Sequence, residues 1–228
     1  MIVPLAFPTS SVLCSLAFAA SALVTVAAHA RGHRPLVYVF KPLSTALLLL
    51  LVAVGPSFFS SRYAAAILAG LFFSLLGDVF LMLRSDHFRS GLFSFLLAHA
   101  CYLVAFLSDS PLARPLLPFA LCLAVGGSVL PALWSGIPRR LRPPVVAYVA
   151  LLLVMAGQAT SRAVTLHSAP ALHAGLGAAL FVLSDSLLAW NRFRNPLPAS
   201  QALIHATYFP AQWLIAISTY AAWPSAAL

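Results

Sequence analysis

The apolar positions along this chain gather into blocks about twenty residues long, separated by short dividers. The blocks fall at about 8–28, 36–54, 63–83, 90–108, 115–134, 144–161, 172–190 and 203–222. An α-helix rises 1.5 Å per residue, so roughly 20 mostly apolar residues cross the hydrocarbon core of a bilayer. The dividers carry Pro, Gly, Ser and Arg, as in Gly55-Pro56-Ser57 and Gly136-Ile137-Pro138-Arg139-Arg140. None is long enough to hold a soluble domain. The pattern predicts an all-α fold: a polytopic membrane bundle of about eight transmembrane helices, forming one integral membrane domain over residues 1–228.

Composition removes the water-soluble alternatives. Of 228 residues, 62% are hydrophobic and 7% are charged, whereas a soluble domain carries about 25% charged residues. There is one Lys, no Glu, and the acids are Asp78, Asp86, Asp109 and Asp185. The lipid bilayer is therefore the expected solvent. The net charge of +9 does not point to nucleic acid, because the basic residues stand singly or in twos and threes between apolar blocks.

That spacing is a topology signal. The first, third, fifth and seventh connections with their flanks hold ten basic residues: Arg31, Arg34, Lys41, Arg84, Arg89, Arg139, Arg140, Arg142, Arg192 and Arg194. The second, fourth and sixth hold three: Arg62, Arg114 and Arg162. The bias places the odd connections in the cytoplasm and both termini on the far side. Low Lys with high Ala and Arg suggests a bacterial source, hence the inner membrane. Ala28-His29-Ala30 resembles a signal-peptidase site, but residues 1–30 contain no Lys or Arg, so the first block is expected to remain as a span. Cys14, Cys101 and Cys122 are not spaced as a metal clip or a redox pair.

The third and fourth blocks can be laid over the seventh and eighth. Gly77-Asp78 is followed after 21 residues by His99-Ala100-Cys101-Tyr102, and Ser184-Asp185 after 20 residues by His205-Ala206-Thr207-Tyr208. Two possible repeat units, 1–110 and 111–228, follow. Four spans per unit give both the same orientation, related by an axis along the membrane normal. Asp78 is six residues before Arg84 and Asp185 seven before Arg192, so each lies roughly 10 Å inside the cytoplasmic boundary at 1.5 Å per residue. The two carboxyls are expected at similar depth, facing each other.

An ionisable side chain inside a spanning helix costs several kcal/mol and marks a functional candidate. Asp78 and Asp185 are therefore the leading catalytic residues, against the plainer reading of a buried acid paired with Lys41 or a helix terminus. Asp86 and Asp109 fall in connections and read as solvated. His99 and Tyr102 share one helix face, as do His205, Tyr208 and Gln212. They can hydrogen-bond an aspartate or a substrate head group, or simply tie helices together. The plainer reading is favoured for His205, near the interface. Lys41 can meet a phosphate as a point charge or snorkel to the interface. Tyr148 holds in the second unit the place of Lys41 in the first. Trp134, Trp190, Trp213 and Trp223 read as interface belt and core. Gly77 and Gly91 read as close helix approaches. Two Asp and two His could ligate a metal, but no tight ligand spacing supports one. No metal or other cofactor is expected.

Taken together, Lys41-Pro42-Leu43, Ser74 to Leu81 around Gly77-Asp78, His99 with Tyr102, Tyr148 to Met155, Phe181 to Ala189 around Ser184-Asp185, and Tyr208 with Ala211-Gln212 resemble the YhhN / TMEM86 family of lysoplasmalogenases. The resemblance covers about residues 36–220. Phe209 stands where that family often has a second tyrosine, and His205 lies outside its pattern. The resemblance implies an eight-helix membrane bundle that hydrolyses the vinyl ether bond of lysoplasmalogens. The products are a fatty aldehyde and a glycerophospho-base. A lysophospholipid is then the partner, with Lys41, His99, Tyr102, Tyr148, Tyr208 and Gln212 as candidate substrate contacts.

The residue types suit that chemistry on their own. A vinyl ether is cleaved by protonating its outer alkene carbon, which leaves an oxocarbenium ion that water attacks. One carboxyl must keep its proton and another must stabilise the cation, the division of labour used by glycosidases. No serine or cysteine nucleophile with a plausible triad is present. The competing class is a proton-coupled carrier of small molecules or lipids, since paired intramembrane acids on a parallel repeat also suit transport.

Overall fold

The computed structural model describes residues 8–55, 61–83 and 87–220. Arg84, Asp86 and Trp223 lie outside the described residues. Among the described residues all regular structure is helical: α1 Thr9–Ala30, α2 Arg34–Ala53, α3 Arg62–Met82, α4 Phe88–Leu107, α5 Leu116–Gly127, α6 Val129–Leu133, α7 Arg142–Leu166, α8 Ala169–Phe193 and α9 Ser200–Ile217. Among the described residues, seven segments are long and apolar enough to cross a membrane, with Leu116–Leu133 counting as one. The eighth expected span corresponds to α9, which packs along α8 and α1 in the same bundle.

Local chemistry sets the helix ends. Ser61 and Ser168 accept hydrogen bonds from the amides of Ala64 and Ala171, satisfying donors that the first turns of α3 and α8 leave open. Prolines sit at the first positions of α2, α7 and α8, where a missing N–H costs nothing. The break between α5 and α6 at Ser128 lies just before Pro131, which has no N–H to offer the carbonyl of Gly127.

Leucine, valine and phenylalanine point outward, as lipid contact requires: Leu13, Leu23, Phe93, Val104 and Val125 are each at least 60% exposed. The interior is built from small residues and aromatics. A Cβ at Gly77 would lie 2.6 Å from the Phe95 ring, and one at Gly91 2.6 Å from Leu81. The glycines thus let α3 and α4 cross closely, as expected.

The connections segregate to two ends. At one end Arg194 donates to Ser135, Phe193 packs edge-on against Phe88, and Arg192 lies over the Phe88 ring, joining the third, fifth and seventh connections. At the other end Arg162 makes two hydrogen bonds to Asp109, of 2.7 and 2.6 Å, and stacks on Tyr63, joining the second, fourth and sixth. Asp109 is 39% exposed, as its place in a connection suggested, and it is also paired with Arg162. It neutralises Arg162, itself 4% exposed. Helix neighbours run in the same order in both halves: α1–α2, α2–α3 and α3–α4, then α5–α7, α7–α8 and α8–α9, with α4–α7 and α2–α9 joining the halves.

Candidate active site

Asp78 sits on α3 at 1% exposure, surrounded by groups that match its charge. Lys41 Nζ on α2 lies 3.2 Å from Oδ1. Thr45, one turn further along α2, donates to Oδ2 at 2.8 Å, and Tyr208 on α9 donates to the same oxygen at 2.7 Å. The network continues outward. Gln212 Nε2 donates to the Tyr208 hydroxyl at 3.2 Å, and the Tyr102 hydroxyl donates to Gln212 Oε1 at 2.7 Å. Ser74 lies 3.3 Å from the Tyr102 hydroxyl. Gly70 makes room for Tyr102, because a Cβ there would strike its ring. Five of the expected site residues, Lys41, Asp78, Tyr102, Tyr208 and Gln212, thus form one connected cluster.

Asp185 on α8 has a different setting. The Tyr148 hydroxyl on α7 donates to its Oδ2. Asp185 and Tyr148 both line a cavity of about 70 Å³ whose other walls are mostly apolar, among them Leu92, Phe95, Val129, Leu152 and Phe193. Asp78 does not line it. The separation between the aspartate and its helical partner is the same in both halves: Lys41 to Asp78 and Tyr148 to Asp185 are each 37 positions. Where Asp78 has Thr45 and Ser74 beside it, the matching positions near Asp185 are Leu152 and Phe181. One half-site is polar and cationic, the other apolar.

A chain of aromatic contacts runs from one to the other. Tyr208 meets Phe181 edge-on at 5.6 Å, Phe181 meets His99 at 4.8 Å, and His99 meets Tyr148 at 5.2 Å. His99 is fully buried, and neither ring nitrogen has a hydrogen-bond partner among the described residues. It lies beside the Tyr148 ring and not in the Asp78 cluster. His205 is engaged away from both aspartates. Its ring stacks on His29 at 4.7 Å and its Nδ1 lies 2.6 Å from the Gln201 carbonyl.

These positions refine the sequence-based expectations. Lys41 is an ion-pair partner of Asp78, with its side chain 12% exposed. Thr45 and Ser74 were not singled out, although each lies four residues from a singled-out site residue on its helix and so shares that residue's face. No group of three or more metal-ligating side chains occurs among the described residues.

The YhhN family model matches residues 36–219. The chain is 34% identical over 206 residues to the uncharacterized membrane protein YhhN of Escherichia coli O6:H1, covering 90% of this chain and 97% of that protein. It is 37% identical over 181 residues to the human lysoplasmalogenase TMEM86A, covering 75% of this chain and 72% of that protein. It is 33% identical over 159 residues to the human lysoplasmalogenase TMEM86B, covering 70% and 65% respectively. No solved structure matches it. With a buried polar cluster around one aspartate, an apolar cavity around the other, and this similarity over most of its length, the chain belongs to the YhhN family of multi-pass membrane proteins.

Proposed function

We propose that this protein is a membrane-embedded hydrolase of the vinyl ether bond in lysoplasmalogens, working by acid/base chemistry on Asp185 and Asp78. The observation that carries the reading is the asymmetry of the two carboxyls. Asp185 opens on an apolar cavity with a tyrosine hydroxyl for company, whereas Asp78 is compensated by an ammonium group. Asp185, which opens on the cavity suited to the alkenyl chain, takes the role of the acid, and Asp78, ion-paired with Lys41 at 3.2 Å, that of the charged partner. This pairing does not depend on repulsion between facing carboxylates. The half-sites themselves we take as copies within two repeat units, 1–110 and 111–228.

The steps balance as follows. The Asp185 proton passes to the outer alkene carbon, and the positive charge moves to the inner carbon and the ether oxygen. The carboxylate left on Asp185 and the fixed charge of Asp78, presented through Tyr208, stabilise that cation. Water adds to the inner carbon and gives one proton back to Asp185. The hemiacetal then collapses, its hydroxyl proton going to the glycerol oxygen as the bond to that oxygen breaks. The products are aldehyde and glycerophospho-base, and no covalent enzyme intermediate is formed. His99, fully buried beside Tyr148 with both nitrogens unpartnered among the described residues, is suited to hold the attacking water.

The substrate is a single-chain lipid, and the relatives named lysoplasmalogenase support that class. The bundle would take it with the polar end at the end carrying most basic residues, in the cytoplasmic half of the membrane. Purified protein given a lysoplasmalogen should release aldehyde, and Asp185→Asn should lower turnover by about 10²–10⁴-fold. Intact folded protein that releases no aldehyde from any lysoplasmalogen head group would move the assignment to a proton-coupled carrier.

A further inference from the structure

A second cavity of about 590 Å³ opens at the cytoplasmic ends of α1, α2 and α3 and the start of α9. Its walls include His29, Arg34, Tyr38, Leu81 and Gln201, and no acidic residue is among its described lining. Arg34 is exposed and His29 partly so. In contrast to the apolar cavity at Asp185, this one offers a cation, an imidazole and an amide.

Its place relative to the Asp78 cluster follows from helix geometry. Residues three or four apart stack on one helix face, and one turn is about 5.4 Å. On α2, Tyr38 lies three residues before Lys41. On α3, Leu81 lies three after Asp78. On α9, Gln201 lies four before His205, which lies three before Tyr208. Three helices therefore step from this cavity to the Asp78 cluster within one or two turns, past the stacked rings of His29 and His205. Leu81 also lines the Asp185 cavity, so the two spaces share a wall residue.

We infer that this cavity binds the phosphate group of the lysolipid, with Arg34 as its principal contact and His29 and Gln201 beside it. The inference rests on the vinyl ether reading for the identity of the substrate. Lys41 is already held by Asp78, so the phosphate takes a cation nearer the aqueous boundary. Seven covalent bonds separate phosphorus from the outer alkene carbon, about 9 Å when extended, and Leu81 lines both cavities. The alkenyl chain then passes Leu81 into the apolar cavity.

The test compares a lysoplasmalogen with the alkenylglycerol that lacks phosphate, in the same detergent micelles. Arg34→Gln should raise KM for the phosphate-bearing substrate about tenfold, leave kcat within about twofold, and leave kcat/KM for the alkenylglycerol unchanged. Arg34→Lys should recover most of the loss, as a retained charge would and a merely structural role would not. Glycerophosphocholine should compete with the lysolipid in the unmodified protein and weakly in Arg34→Gln. Competition by inorganic phosphate alone, at the same concentration and with no effect of glycerophosphocholine, would assign a free-phosphate site and overturn the head-group reading.

Binding of a non-cleavable alkyl-ether lysophospholipid and of the matching alkylglycerol supplies a readout independent of hydrolysis. Arg34→Gln should weaken only the former. Equal losses for both, or for neither, would overturn the inference whether or not any vinyl ether is cleaved.

Discussion

Removing the ammonium of Lys41 is the sharpest perturbation of the polar half-site. In Lys41→Met the Asp78 carboxylate, 1% exposed, keeps two hydroxyl donors, Thr45 and Tyr208, but loses its counter-charge at 3.2 Å. Breaking a buried ion pair from one side costs about 3–5 kcal/mol, because the remaining charge stays desolvated. Asp78→Asn is gentler. The amide keeps the shape and still accepts from Thr45 and Tyr208, while Lys41 is 12% exposed and so keeps some access to solvent. Its cost should be about 1–2 kcal/mol. The double variant Lys41→Met/Asp78→Asn buries no net charge and should be more stable than Lys41→Met alone by about 1–3 kcal/mol. Reversible unfolding of the detergent-solubilised protein, followed by helical signal, measures all four corners of this cycle. Additive single effects, or a Lys41→Met variant within about 0.5 kcal/mol of the parent, would refute the ion pair as the cluster's organising contact.

Other outcomes follow from the same contacts. Asp109→Asn should destabilise the fold by about 1–3 kcal/mol, because Arg162 then lies buried with its charge uncompensated, although partial exposure of Asp109 softens the loss. Thermal unfolding of that variant, with turnover per folded molecule unchanged, checks it. Gly77→Val should cost about 1–3 kcal/mol by driving a side chain into Phe95, read as a lowered melting temperature and a smaller folded yield. Tyr148→Phe should lower kcat about tenfold with little change in KM, since Asp185 loses its described side-chain hydrogen bond. In a cysteine-free background, Arg140→Cys should resist an impermeant thiol reagent in intact cells and His167→Cys should react; the reverse labelling would invert the orientation.

The bundle was legible because membrane solvation imposes a coarse rule. Every span needs a long apolar block, and each observed helix falls on one of the blocks read from the sequence. The crossing of α3 and α4 was visible at Gly77 and Gly91 for a related reason, since small residues are what close helix approach demands. The Asp78 cluster was half legible. Intramembrane charge marked Asp78 and Lys41 separately, and the plainer possibility of their pairing is the one realised. Thr45, which donates to Asp78, and Ser74, which meets Tyr102, stayed hidden because a hydroxyl is common in spanning helices and carries no signal until its neighbour is known. Equal depth along two helices does not fix the rotation of each, so the facing of the two aspartates was not legible, nor was the run of ring contacts through Tyr208, Phe181, His99 and Tyr148 that links the two half-sites. The pairing of Asp109 was not legible because position in a connection says nothing about an arginine 53 residues away.

Labelled solvent tests the central claim most directly, which is that an aspartic acid protonates carbon to start vinyl ether cleavage. The protein is run with a lysoplasmalogen in heavy water enriched in oxygen-18, and the aldehyde is reduced at once, before it exchanges with solvent. The account predicts one deuterium on the carbon next to the former aldehyde carbon, oxygen-18 in the trapped fatty alcohol, and unlabelled oxygen in the glycerol product. Oxygen-18 in the glycerol oxygen, or an alcohol without solvent deuterium at that carbon, would contradict it.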